Sequence, residues 1–174
     1  MSLDYHSPRF TFRQASIAAD FPLNTLRSYF ERGIFASLAR DLSRGRGKVR
    51  RVCLGDVLVV AIASRLIDIG IRPVNAFGAA ILFGRIAETP VGIRRRMPLQ
   101  LFDRSQFETI LVWGQGEAPQ FLPVLKSTGE VALPVETLPR DFLDYGVAVT
   151  VLPLSGMEAI VFTRLGIAAE LGEY

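Results

Sequence analysis

Asn24, Arg27, Ser28 and Glu31 recur at i, i+3, i+4 and i+7, a spacing that puts all four side chains on one face of a helix. Asn and Arg carry the paired donors and acceptors that match adenine and guanine edges bidentately. Further along, Arg44, Arg46, Lys48, Arg50 and Arg51 place five cations within eight residues, interleaved with Gly45 and Gly47. Such a run is either a solvated loop or a strip that lies along a polyanion, with guanidinium and ammonium groups on phosphate oxygens. Other chemistry lacks its residues. One cysteine, Cys53, and one histidine, His6, leave no internal disulfide framework, cysteine-cluster zinc site or imidazole pair. There is no Gly-x-x-x-x-Gly-Lys phosphate loop and no Gly-x-Ser-x-Gly elbow, and the i, i+3 carboxylates Asp141 and Asp144 read as solvated surface. The expectation is therefore no enzyme, no metal and no cofactor.

The charge distribution says which part of the chain would meet a polyanion. The net charge of +3 over 174 residues conceals two opposite halves. Met1 to Pro98 holds sixteen Arg or Lys against seven Asp or Glu, whereas Leu99 to Tyr174 holds four against ten. A basic module followed by an acidic one is the simplest reading, with the polyanion on the first. Hydrophobic residues make up 49% of the chain, enough for a real core. No apolar run approaches the roughly 18 residues of a membrane span, and the N-terminal residues have no apolar segment of the secretory type. A cytoplasmic, nucleoid-associated protein without membrane contact is expected.

The elements that would position these residues follow from local signals. Phe10, Thr11 and Phe12 alternate as a short strand would, and 13–19 contains good helix formers with Ala15, Ala18 and Ala19 on one side. Asp20-Phe21-Pro22 interrupts the helix, since Asp tolerates a left-handed turn and Pro suits the start of the next helix. The second helix is predicted from 22 or 23 to 32, stopped by Gly33, with Leu23, Leu26 and Phe30 as its apolar stripe. A short helix, a tight turn and a second helix with a polar Asn/Arg face have the pattern of a helix-turn-helix. Ile34 and Phe35, the basic run and 49–52 then have the pattern of a wing, a basic loop between two short strands. Residues 54–69 are apolar almost all round, with Cys53 and Asp56 at capping-box spacing and Gly70 at the end. Pro73 opens a further helix to about 83, with Val74, Phe77, Ile81 and Leu82 expected inward.

Three ungapped blocks in this region resemble a known family. Thr25-Leu26-Arg27-Ser28-Tyr29-Phe30-Glu31-Arg32-Gly33-Ile34 resembles the recognition helix of MerR-like winged-helix regulators. Arg50-Arg51-Val52-Cys53-Leu54-Gly55-Asp56-Val57 resembles the end of their wing, and Leu66-Ile67-Asp68-Ile69-Gly70-Ile71 resembles the turn before their fourth helix. The resemblance covers residues 10 to 84, about half of the chain. It implies that Arg27 and Tyr29 touch phosphates, that Arg50 lies on the wing near the backbone, and that Asn24 and Ser28 face base edges. With Thr25, Arg44, Arg46, Lys48 and Arg51, these are the candidate DNA-binding residues. The chain departs from the family pattern at Ser28 and Val52, where tyrosines are usual, at Phe30, where glutamate is usual, and at Asp20, where glycine is frequent. Residues 84–106 contain Gly84, Pro90, Gly92 and Pro98 and no sustained heptad, so the long dimerising helix of the family is not expected.

The second half is β-rich. Strands are predicted at 109–113 and 120–125 around a Gly-containing loop, at 131–135, and at 146–152, and Ser155 and Glu158 have capping-box spacing before a final helix with Ile160, Val161 and Leu165 on one side. Trp113, Phe121 and Phe142 read as core rather than as a ligand pocket. The expected class is α+β: a winged helix-turn-helix domain over 1–84, a linker over 85–106 carrying Arg94, Arg95 and Arg96, and a β-rich dimerisation or effector domain over 107–174. The expected function is sequence-specific binding of double-stranded DNA by a homodimeric transcriptional regulator, with RNA polymerase or a small-molecule effector left open as further partners. The alternative is a nucleoprotein-assembly factor of the excisionase-like or small-terminase-like kind, and a protein-interaction winged helix without DNA affinity is a third reading.

Overall fold

Thr11 sets the first boundary of the fold. Its hydroxyl accepts from the Gln14 backbone N–H at 3.2 Å while the Gln14 side-chain oxygen accepts from the Thr11 N–H at 2.9 Å, a reciprocal cap that ends strand β1 (Phe10–Thr11) and starts helix α1 (Phe12–Ala19). The structure, a computed structural model, describes residues 4–38, 50–85, 98–103, 105–114, 119–130 and 149–167. It is a mixed α+β chain that divides into two compact units, Met1–Gly84 with Met157–Glu173, and Arg85–Gly156. Among the described residues no helix is long and apolar enough to cross a membrane.

In the first unit α1 ends at Asp20, which is left-handed at φ 53° and ψ 50°. Asp is among the few residues other than glycine that tolerate this conformation, because its short polar side chain can hydrogen-bond locally. Ser16 closes the turn by accepting the Phe21 N–H at its carbonyl and donating its hydroxyl to the Phe21 carbonyl. Pro22 then leads into helix α2 (Leu23–Glu31), which stops where Gly33 takes φ 72° and the Ile34 N–H reaches back to the Tyr29 carbonyl. Strand β2 (Arg51–Val52) lies antiparallel to β1, with Phe10 opposite Val52 and Thr11 opposite Arg51. Ile34 and Phe35, expected to form a wing strand, are a bend. The partner of β2 is β1, and Phe35 is instead buried against Phe77.

Helix α3 (Leu54–Asp68) is buried along nearly its whole length, which is the physical reason for its all-round apolar sequence. Its surface is therefore taken up inside its own unit. Helix α4 (Pro73–Arg85) buries Ala76, Phe77, Ala79, Ala80 and Phe83. Val74, expected inward, is 64% exposed. It lies one residue into the helix, on the turn before the small-residue face that meets the core. Phe77 is the centre of that core, with the rings of Phe21, Tyr29 and Phe35 at 6.0, 5.8 and 5.6 Å. The α1–α2 pair is thus fastened to α4 by aromatic rings contributed from its turn, from α2 and from the segment after α2.

In the second unit strand β3 (Phe107–Gly114) is central, antiparallel to β4 (Gln120–Leu125) and to β5 (Val149–Pro153), with Leu111 opposite both Phe121 and Leu152. Trp113 is half-buried and Phe121 buried, while Phe142 and the expected strand at 131–135 lie outside the described residues. Helix α5 (Leu154–Leu165) begins one residue before Ser155, so the expected capping box does not form. The Ser155 hydroxyl accepts from the Thr109 N–H at 3.1 Å instead, and the Ser155 N–H donates to Glu108 Oε1 at 3.1 Å. From Met157 onward the helix belongs to the first unit, whereas the sequence pattern groups it with the β-rich segment. Two contacts give the reason: Tyr5 donates to Glu158 Oε1 at 3.4 Å, and Arg164 donates to the Ala18 carbonyl at 3.3 Å.

Candidate nucleic-acid interface

Helix α2 separates its faces as the spacing requires. Leu26 is buried, Asn24, Arg27 and Glu31 are exposed, and Thr25 and Ser28 are half-buried between them. Tyr29, the expected phosphate contact, is half-buried with its ring at 5.9 Å from Phe21 and 5.8 Å from Phe77. Its aromatic body is therefore a packing element of the core, and any contact it makes must come from its polar tip. Arg50 and Arg51 are exposed on and beside β2. Arg44, Arg46 and Lys48 lie outside the described residues, as do Arg94, Arg95 and Arg96.

Apart from Arg9, the described arginines of the first unit divide into two groups. Arg65 and Arg164 approach Asp20 Oδ2 at 3.7 and 3.8 Å, and Arg65 also pairs with Asp68 at 3.3 Å, so these cations are spent on carboxylates around the α1–α2 turn. Among the described residues Arg13, Arg27, Arg32, Arg50, Arg51 and, just before α4, Arg72 have no carboxylate within ion-pair distance. They are held by neutral groups or by none. Arg51 donates from Nη1 to the Arg9 carbonyl at 2.9 Å, and the Arg50 guanidinium lies over the Phe30 ring at 5.8 Å. A surface cation without a carboxylate partner keeps its full attraction for phosphate.

The pairing of β1 with β2 adds residues that spacing alone does not reveal. Arg9 and Arg51 are 42 positions apart yet share a hydrogen bond, and Arg13 follows the capped start of α1 directly after β1. A signal did exist in the sequence, because Phe10-Thr11 and Val49-to-Val52 are the two β-prone pieces flanking the helices, but nothing local specifies that they pair.

Asp56 organises the described residues on either side of the basic run. It is buried, and its carboxylate accepts from the Ser37 hydroxyl at 2.8 Å, the Leu38 N–H at 2.5 Å and the Cys53 N–H at 3.0 Å. The chain before residue 39 and the chain after residue 49 therefore meet at one carboxylate. Cys53 reciprocates as the N-cap of α3, its sulfur accepting from the Asp56 N–H at 3.4 Å. Burial, reinforced by the Asp56 charge, pushes the Cys53 thiol up to about 12, so it stays protonated and poorly nucleophilic at neutral pH. Among the described residues no three His, Cys, Asp or Glu side chains are grouped to hold a metal ion.

No protein-family model matches the chain, and a search of curated proteins finds no relative.

Proposed function

We propose that this chain is a sequence-specific double-stranded DNA-binding protein, a divergent MerR-like winged-helix regulator that inserts α2 into the major groove and lays the arginines around β2 on the flanking backbone. The observation that carries the reading is the arginine sorting. The exposed face of α2 bears Asn24 and Arg27, the arginines near it are free of carboxylates, and the acidic partners are gathered at the α1–α2 turn. Asn24 and Ser28 supply base-edge contacts in this arrangement. Arg27, Arg50 and Arg51 supply phosphate contacts. Two half-sites read by a homodimer fit a helix-turn-helix of this size, because one short recognition helix covers only a few base pairs.

Selection of sheared genomic DNA on the purified full chain at near-physiological salt, followed by sequencing, tests the proposal. Enrichment of short inverted half-sites beside promoters is the expected result. Enrichment confined to the ends of one mobile element would replace regulation with a nucleoprotein-assembly role. Recovery no better than that of competitor DNA would overturn sequence-specific binding.

A further inference from the structure

We infer that Phe30 is a positioning residue for Arg50, mounting its guanidinium against α2 so that the in-plane N–H edge stays open for a backbone phosphate. The inference rests on the DNA-binding reading above and assigns a role to a side chain that the apolar pattern marks only as packing.

The geometry is specific. The Arg50 guanidinium carbon lies 5.8 Å from the centroid of the Phe30 ring. That ring is braced by two others, Phe12 at 5.2 Å and 72° and Phe35 at 5.9 Å and 55°. Phe30 also lies one turn beyond Arg27 on α2, so i, i+3 adjacency brings the two guanidinium sites to neighbouring positions. A ring attracts a cation through its face, and a guanidinium carries its five donors in its own plane. Contact with a ring therefore restrains the side chain without using the donors that a phosphate needs. A carboxylate would restrain it equally well, but it would occupy the donor fork and cancel the charge, which is the condition of Arg65 between Asp20 and Asp68. An exposed arginine that is already restrained also gives up less side-chain freedom on binding, an effect of about two- to tenfold in affinity.

The test is a double-mutant cycle on the full chain, with binding to a fluorescently labelled mixed-sequence duplex followed over a salt series. Arg50→Ala is expected to weaken the wild type about two- to tenfold more than it weakens Phe30→Leu. Phe30→Tyr, which keeps the ring, is expected to retain the full Arg50 effect. Phe30→Glu is expected to flatten the salt dependence by about one phosphate contact, as Arg50→Ala does. Because Phe30→Leu also loosens the packing on Phe12 and Phe35, the contact is read separately without DNA. The Arg50 side-chain methylene resonances should be shifted upfield in the wild type and in Phe30→Tyr, and should return to random-coil values in Phe30→Leu. An additive cycle with a bound, salt-sensitive wild type overturns the positioning role alone, and so do unshifted Arg50 resonances in the wild type. A wild type with no salt-dependent DNA affinity overturns the DNA reading itself.

Discussion

The two groups of arginines should respond differently to removal when DNA binding is measured against salt. Binding that neutralises Z phosphates on B-form DNA has a slope of about −0.9Z in log affinity against log salt. If Arg13, Arg27, Arg32, Arg50 and Arg51 each meet one phosphate, they alone contribute a slope of about −4.5. A rise from 50 to 200 mM salt then lowers affinity by about 500-fold. Arg50→Ala should flatten the slope by about 0.9, so its defect relative to wild type should shrink about threefold over the same salt range. Arg65→Ala is the control. That guanidinium is engaged by Asp20 and Asp68 at 3.7 and 3.3 Å, and its loss should leave the slope at the wild-type value. Fluorescence anisotropy titrations of one labelled duplex at four salt concentrations measure both. Equal flattening by Arg65→Ala and Arg50→Ala would refute the claim that carboxylate pairing decides which cations reach DNA. A wild-type slope in Arg50→Ala would remove Arg50 from the interface.

Asn24→Ala should relax sequence preference by about 1–3 kcal/mol at one base position with little change in non-specific affinity, and unchanged selectivity in a competition assay would exclude Asn24 as a base reader. Asp56→Ala should cost about 3 kcal/mol or more in a denaturant titration, since it orphans the buried Cys53 donor and the part-buried donors of Ser37 and Leu38 together, whereas Ser37→Ala removes a single donor and should cost about 1 kcal/mol. A loss below 1 kcal/mol in Asp56→Ala would refute the clamp. The Cys53 thiol is raised in the folded state from an ordinary 9.0 to about 12, so the unfolded chain releases its proton first. Its contribution is fully present below about pH 9 and is lost as pH rises towards 12, with a limiting slope of about 1.4 kcal/mol per unit. Comparing wild type with Cys53→Ser across pH 8 to 11 isolates this effect, and parallel stability curves would refute it.

The helices of the first unit were legible in the sequence because their signals are local. Asp20, Gly33, Gly70 and the Cys53/Asp56 pair mark boundaries within one or two residues of those observed, since caps and left-handed turns are set by a few adjacent side chains. The exposed face of α2 was legible for the same reason. What failed depended on partners distant in the chain. Ser155 has the spacing of a cap, but β3 offers it a better acceptor and donor in Glu108 and Thr109. Val74 has the character of a core residue, yet small alanines let α4 approach on another face. The final helix follows a β-rich stretch, and nothing local reveals that Arg164 returns to the end of α1.

The same distinction explains why the basic run alone is an incomplete guide to which cations a polyanion could reach. Counting cations gives Arg65 and Arg50 equal weight, but a cation matters to a polyanion only after its internal partners are subtracted, and these partners are long-range. Asp20 shows how the subtraction works. Its left-handed backbone makes the turn between α1 and α2, and its carboxylate draws Arg65 from α3 and Arg164 from α5 towards that turn. One residue thus shapes the element that presents α2 and holds two cations at the turn, beside the end of α1. Arg50 and Arg51 face no such carboxylate, and a ring and a carbonyl hold them in place with their charge intact. Under the DNA-binding role proposed here, a surface assembled in this way suits an extended polyanion better than an acidic protein patch. Guanidinium groups with free in-plane donors match the repeating oxygens of a phosphate backbone, and in the same proposal Asn24 and Ser28 would add what a backbone alone cannot offer, contacts to the edges of bases.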